Sequence, residues 1–203
     1  MRINELNVGK DSPLYRHVNS LKFIFNNIEI ETNNLITTSS EEISAENSIL
    51  ITHIRNITNE IYSACEIINE MFIDYFRNDD RYRGSQLKNG FNSNFKKIYD
   101  AVINHKRELT GVYLNEHLKS FYYSAKDWYI DVHDIRTQET HYEVGRIEYY
   151  EDIIYYVNGN RNGVSKSLYT NPLSETRILI TKIIELSNMF LETQNVLCDM
   201  IQM

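Results

Sequence analysis

One apolar stripe runs without interruption through residues 50–75 and limits the folds that this chain can adopt. Apolar residues recur there at alternating intervals of four and three, a spacing that keeps one face of an α-helix apolar. The stripe consists of Leu50, Ile54, Ile57, Ile61, Ala64, Ile68, Met71 and Tyr75. It predicts a long core-facing helix that ends at about Phe76 and begins near Ser39, which fits a capping box with Glu42.

The remaining helical patterns are shorter. Ser12 is a capping residue type and Pro13 suits a first helical position, so a first helix is expected there. The segment from Ile36 to Ser40 predicts a polar break before the long helix, and a charged loop from Arg77 to Gly90 follows that helix. Besides the long helix, the predicted helices are Ser12 to about Asn34, about Asn92 to His105, about Asn115 to Ile135, and Asn171-Pro172 nearly to Met203.

The period changes between Arg146 and Leu168, where Tyr, Ile and Val are abundant. This stretch contains Asn158-Gly159 and Asn162-Gly163, and Asn-Gly supplies the positive φ of tight hairpin turns. We therefore predict a small β-hairpin at about 146–168, before the last helix. The chain has only seven Gly and two Pro, which disfavours a many-stranded sandwich. The predicted fold is mainly α, a helical bundle of four to five helices with this hairpin, in a single domain spanning residues 1–203.

Composition excludes several classes of protein. Hydrophobic residues make up 42% of the 203 residues, too many for a disordered tail. Cys65 and Cys198 both lie in apolar helical patterns, which predicts two buried free thiols and a cytoplasmic location. No stretch approaches the roughly 18 apolar residues of a membrane span, so no membrane partner is expected. The net charge, 21 − 28 = −7, argues against a protein that coats nucleic acid, but it leaves room for an enzyme with a small local RNA site.

The residues best suited to chemistry lie in the segment WYIDVHDIRTQETHY, residues 128–142. On a helix each residue advances about 100°, which gives this segment an apolar and a polar face. The apolar face holds Trp128, Val132, Ile135 and Tyr142; the polar face, expected outside the core, holds His133, Arg136, Thr137 and Thr140. Arg136 and His141 are about 140° apart, so they would not touch on one straight helix. Either the helix breaks between them or the two groups meet across a partner chain.

The stretch Ile135-Arg136-Thr-Gln-Glu-Thr-His141 resembles the Arg-x4-His motif of the HEPN superfamily (higher eukaryotes and prokaryotes nucleotide-binding domains). HEPN domains are helical bundles whose motif sits near the end of a late helix, which agrees with the helices predicted here. The resemblance implies a metal-independent endoribonuclease that uses no cofactor. It also implies a homodimer, in which two motifs line one cleft, and a bacterial toxin–antitoxin or phage-defence setting with an antitoxin protein as a candidate partner.

The resemblance gives each residue a role. His141 would exchange protons with the ribose 2′-OH or the leaving 5′-oxygen, because an imidazole titrates near neutral pH. Arg136 would hold the phosphate and stabilise the charge that builds on it. Supporting or substrate-binding roles fall to His133, Thr137, Thr140 and Tyr142. The sequence departs from the family at Thr137, a position that is often Asn, and at Glu143, where some members carry a modifiable Tyr, so tyrosine adenylylation is not expected.

The most basic local region is the loop that follows the long helix. Arg77, Arg81, Tyr82 and Arg83 are candidate RNA contacts there, and the alternative is a solvated loop with internal Asp–Arg pairing. The hairpin carries two adjacent tyrosine pairs, 149–150 and 155–156, and each pair is expected to put one ring on the core and one outside. The His and Cys residues show no metal-ligand spacing, so no metal site is expected.

A non-catalytic interpretation of the same residues stands beside the nuclease. In it, Arg136 pairs on the surface with Asp131, Asp134 or Glu139, and His141 only begins the turn into the hairpin. The protein would then be a helical protein-binding or scaffold module with a HEPN-like fold, and the net charge of −7 favours this because an acidic surface repels RNA. A third option, a small-molecule or nucleotide binder, has no motif in its support.

Overall fold

The structure is a computed structural model that describes residues 2–40, 47–77, 95–104, 116–141, 145–158 and 176–202. For a few residues at element ends, including Arg77 and His141, it describes the backbone and not the side chain. The described part is mainly α-helical with one small antiparallel sheet before the last helices, which confirms the predicted fold class.

The elements follow one another in a simple order. A 3₁₀ helix, Ile3–Glu5, comes first. The α-helices that precede the sheet are α1 (Tyr15–Ser40), α2 (Asn47–Arg77), α3 (Phe95–Val102), α4 (Glu116–Ser124) and α5 (Tyr129–His141). The strands are β1 (Arg146–Tyr150), β2 (Ile153–Asn158) and β3 (Thr176–Leu179), and they are followed by α6 (Ile180–Glu192) and α7 (Gln194–Ile201).

Helix α2 is the long helix that the apolar stripe predicts. Every stripe residue from Leu50 to Met71 is at most 1% exposed, and the side chain of Tyr75 lies outside the described residues. Burial of this continuous row removes a large apolar area from water, which is the main force that holds such a helix in place.

The predicted break at 36–40 is wrong, because α1 continues through Ser40. Thr37, Ser39 and Ser40 donate their hydroxyl protons to carbonyl oxygens three or four residues earlier in the same helix. These short polar side chains therefore bond to the helix that they were expected to end. Ser39 is accordingly a residue of α1 and not a cap for the next helix, while Glu42 lies outside the described residues.

The helix predicted from about 115 to 135 is two helices. A turn at residues 125–128 separates α4 from α5, and the hydroxyl of Tyr99 donates to the carbonyl of Lys126 within it at 3.2 Å. Helix α5 then extends beyond the predicted end at Ile135 as far as His141. The last predicted helix is also interrupted, at Thr193 between α6 and α7.

The β-hairpin is confirmed, but its turn is not at Asn-Gly. Strands β1 and β2 pair antiparallel with Tyr150 opposite Ile153, and Glu151 in the turn takes a positive φ of 53°. Asn158 is the last residue of β2, and the other Asn-Gly pair lies outside the described residues. A third strand, β3, pairs antiparallel with β2, where the last helix was expected. The α6 helix therefore begins at Ile180, later than the sequence predicts.

The described chain divides into two compact units. Unit 1 comprises Met1–Phe25, Ser63–Asp127 and Glu192–Met203, and unit 2 comprises Asn26–Tyr62 and Trp128–Leu191. Unit 1 has an aromatic core in which the Phe95 and Tyr122 ring centroids are 4.8 Å apart. Unit 2 contains α5 and the sheet, and its core includes Trp128 packed edge-on against Phe190 at 5.2 Å. The prediction of a single domain stays a prediction.

Both cysteines are buried free thiols, as predicted. Burial raises the pKa of the Cys65 thiol well above its usual value, so this group stays protonated and unreactive. Among the described residues, no helix is both long and apolar enough to cross a membrane.

Candidate functional site

Helix α5 carries the Arg-x4-His motif and has no break within it. The helix runs from Tyr129 to His141, with Arg136 inside it and His141 as its last residue. The hydroxyl of Thr140 donates to the carbonyl oxygen of Arg136 at 2.8 Å, one helical turn back. Because the helix is continuous, the separation of about 140° between positions 136 and 141 is retained, and a break between them is excluded.

The predicted apolar face of α5 is confirmed, but the predicted polar face is not fully outside the core. Trp128, Val132 and Ile135 are each at most 2% exposed. The side chains of His133, Arg136 and Thr137 are half-buried, Thr140 is exposed, and Tyr142 lies outside the described residues. The cause is tertiary: within unit 2, Tyr62 of α2 contacts one side of α5, and Tyr156 of β2 contacts it near the C-terminal end.

Arg136 stacks on an aromatic ring. Its guanidinium carbon lies 4.2 Å from the centroid of the Tyr62 ring, a cation–π contact worth about 0.5–2 kcal/mol. The Arg136 Nε atom is buried and has no hydrogen-bond partner among the described residues. Neither Asp131, Asp134 nor Glu139 forms an ion pair with Arg136 in this part of the chain. The surface pairing of the non-catalytic interpretation is therefore not what the structure contains.

His133 shares the same aromatic partner. Its ring centroid is 6.2 Å from that of Tyr62 and 5.8 Å from that of Tyr129, and its Nδ1 atom is 3.2 Å from Oδ1 of Asp134. The side chain is only 12% exposed. Tyr62 thus brings the imidazole of His133 and the guanidinium of Arg136 to one aromatic wall. The supporting role expected for His133 stays a prediction.

Glu139 lies within the motif, where the sequence predicts only a surface partner for Arg136. The hydroxyl of Tyr156 donates to its Oε1 atom, while its Oε2 atom is buried without a hydrogen-bond partner among the described residues. Burial raises the pKa of the Glu139 carboxyl, and the Tyr156 hydrogen bond and the positive charge of Arg55 partly oppose this effect.

Tyr156 is the second residue near the motif that its sequence spacing does not reveal. Its ring is fully buried while Tyr155 is half-buried, as the alternation of strand side chains predicts. Burial and the neighbouring Glu139 carboxylate raise the pKa of the Tyr156 phenol. Gly145 borders this ring so closely that a methyl group on its Cα would overlap it. The alternation signal could have placed Tyr156 inside, but not against Glu139.

Several predicted site residues lie outside the described part of the chain, wholly or in their side chains. Tyr142, Arg81, Tyr82 and Arg83 lie outside the described residues, and Arg77 ends α2 with its side chain outside them. In the ranges that the structure describes, no three His, Cys, Asp or Glu side chains are grouped so that they could hold a metal ion. The chain matches no protein-family model, no curated protein and no solved structure.

Proposed function

We propose that the protein is a metal-independent endoribonuclease with a HEPN-like domain, in which Arg136 holds the scissile phosphate and His141 acts as acid and base. Its setting in this proposal is cytoplasmic, in a bacterial toxin–antitoxin or phage-defence system. The RNA substrate binds a homodimer, and an antitoxin protein is a further candidate partner. Arg77, Arg81, Tyr82 and Arg83 are further candidate RNA contacts in this proposal.

One observation carries the proposal: the Arg136 cation has no carboxylate partner among the described residues and is held by the face of Tyr62. A carboxylate paired with this guanidinium would compete with a phosphate for the same donors. A guanidinium that is fixed by stacking, and not by an anion, keeps its charge for a phosphate ligand. Thr140 lies one turn after Arg136 on α5, and His133, about one turn before it, contacts the same Tyr62 ring.

The continuity of α5 supports the dimer. Positions 136 and 141 diverge around one helix, so a site that needs both groups at one phosphate draws them from two copies of the chain. In the proposed reaction, the His141 imidazole takes the proton of the ribose 2′-OH and the 2′-oxygen attacks phosphorus. The bond from phosphorus to the 5′-oxygen breaks, and the same imidazole, now protonated, gives that oxygen the proton. The products are a 2′,3′-cyclic phosphate and a 5′-hydroxyl, with no metal in any step.

A test of this chemistry is RNA cleavage in the presence of EDTA, with native protein, Arg136→Ala and His141→Ala compared. Loss of a transition-state charge contact costs about 10²–10³-fold in rate, so both variants should fall by at least that factor. Arg177→Ala is the matched control. It removes the same charge from an exposed arginine on the sheet, which pairs with Glu148. Activity that requires added metal, or that survives both substitutions, would reject the proposal.

Mixing the two inactive variants tests the shared site. If each site takes its arginine from one chain and its histidine from the other, a mixed dimer keeps one intact pair. Unfolding and refolding the two variants together should then restore about a quarter of the native activity, since half of the dimers are mixed and each has one of two sites. No recovery would show that both groups of a site come from the same chain.

The second candidate function is the non-catalytic helical scaffold, favoured by the net charge of −7. It predicts no RNA cleavage by the native protein and no growth defect on expression. The nuclease predicts a growth defect that the Arg136→Ala, His141→Ala double variant relieves.

A further inference from the structure

We propose that Tyr156 is a positioning residue for His141: it fixes the C-terminal end of α5 by joining Glu139 on the helix to Gly145 at the entry to the sheet. This inference rests on the proposed function, because it concerns the geometry of the His141 acid–base group.

Tyr156 contacts the chain on both sides of His141 in sequence, at Glu139 and at Gly145. Its hydroxyl donates to Oε1 of Glu139, and its ring lies directly against the backbone of Gly145. In sequence, Glu139 stands two residues before His141 and Gly145 stands four residues after it. One buried phenol from β2 therefore ties down the chain before and after the residue to which the proposal gives the proton transfers.

The packing around Tyr156 leaves little conformational freedom to its ring or to the groups that it contacts. Tyr156 is fully buried, and the absence of a side chain at Gly145 lets the ring lie directly against the backbone. A hydrogen bond to a fixed ring restrains Glu139 more than a contact with a mobile surface side chain would. Displacement of a catalytic group by about 1 Å can cost 10²-fold in rate, so a device that fixes the helix end has a clear benefit.

The position of Glu139 destabilises the folded protein. One carboxyl oxygen of Glu139 is buried with no hydrogen-bond partner among the described residues, which costs free energy. An apolar side chain of similar size at position 139 would fill the same space more favourably. Polar groups that burden the fold in this way are typical of functional sites.

The variant that tests the inference is Tyr156→Phe, which keeps the ring and removes the hydroxyl. We expect kcat for RNA cleavage to fall by about tenfold or more with KM changed less than about twofold, because the phosphate contact of Arg136 is untouched. Tyr155→Phe is the matched control on the same strand and should behave as native protein. Glu139→Gln keeps an acceptor for the Tyr156 hydroxyl and should retain kcat, whereas Glu139→Leu should lose it.

Backbone amide hydrogen exchange at residues 139–141 and at Gly145 gives a second measurement that does not depend on activity. Tyr156→Phe should speed exchange in this segment and leave the rest of unit 2 unchanged. If native protein cleaves RNA and Tyr156→Phe cleaves it with the native kcat, the positioning role is overturned while the nuclease stands. If native protein does not cleave RNA, the proposed nuclease function is refuted. Unchanged exchange in Tyr156→Phe would then also refute the proposed restraint of the α5 end by Tyr156. Faster exchange would support it.

Discussion

Two buried hydroxyl groups in unit 2 offer a sharp test of how polar groups are satisfied in this core. Thr32 of α1 and Ser187 of α6 are 3% and 0% exposed, and their oxygen atoms are 2.5 Å apart. The Thr32 hydroxyl donates to the carbonyl of Ile28 at 2.7 Å. Its single proton is used there, so the proton between the two helices comes from Ser187 and Thr32 Oγ1 accepts it.

This assignment makes the two substitutions unequal. Thr32→Val keeps the shape but leaves the buried Ser187 O–H without its acceptor, which costs about 1–3 kcal/mol. Ser187→Ala removes the donor itself, and Thr32 keeps its bond to Ile28, so the expected loss is about 0.5–1.5 kcal/mol. The double variant removes both groups and should be no less stable than Thr32→Val alone, which corresponds to a coupling energy of about 1 kcal/mol.

Urea unfolding measures all three variants against native protein. With a slope of about 2 kcal/mol per M, a loss of about 2 kcal/mol lowers the midpoint by about 1 M. Thr52→Val is the control, because its exposed hydroxyl bonds only to the carbonyl of Ser48 in its own helix and should change stability by less than about 0.5 kcal/mol. Losses that simply add in the double variant, or a larger loss for Ser187→Ala than for Thr32→Val, would refute the reasoning.

Three further predictions concern ionisation and packing in unit 2. Burial raises the pKa of Glu139, so the stability that its protonated form contributes is present at acidic pH and is lost as pH rises through the folded-state pKa. Glu139→Gln should therefore unfold at a higher urea concentration than native protein at neutral pH. This difference should shrink as pH falls. Arg177 and Arg146 lower the pKa of Glu148, so native protein should exceed Glu148→Gln in stability at neutral pH, with the difference lost on acidification and reduced by high salt. Phe190→Ala should cost about 3–5 kcal/mol and change the fluorescence of Trp128, the sole tryptophan and the direct neighbour of that ring.

The sequence predicts structure best where the pattern within one segment is sufficient to determine its secondary structure. The stripe of α2 is such a case, because twenty or so residues repeat the same spacing and any core that covers them gives a helix. The end of α1 is the opposite case. Ser and Thr can cap a new helix or bond back to the carbonyls of the old one, and composition alone does not distinguish the two.

Strand β3 shows a different limit. Thr176–Leu179 is four residues long and stands directly before a helix, so its own pattern is too short to identify a strand. It is a strand because β2 offers a partner, with Tyr156 opposite Ile178 and Val157 opposite Arg177. Pairing of this kind depends on residues about twenty positions away, which local periodicity does not contain.

The candidate site was predictable in its spacing and not in its surroundings. The Arg-x4-His spacing follows from the sequence, but the predicted helix stops at Ile135, whereas α5 continues through Arg136 to His141. The helical wheel, however, assigns one buried face, whereas α5 is contacted by Tyr62 on one side and by Tyr156 on another. On the wheel, Gln138 lies at the edge of the apolar face, whereas Glu139 lies within that face between Trp128 and Val132. The wheel therefore accounts for the burial of Glu139 but not for its hydrogen bond with Tyr156.

The contact with Tyr62 affects how Arg136 would bind a phosphate. At a net charge of −7, the long-range field of the protein opposes the approach of RNA, so binding must come from short-range contacts that are ready before the ligand arrives. A guanidinium that already lies 4.2 Å from the Tyr62 centroid has lost much of its side-chain freedom on folding. It therefore gives up less entropy when it binds a phosphate than a mobile surface arginine would. In an acidic chain, the aromatic wall is thus as necessary to the proposed phosphate contact as the charge that it holds.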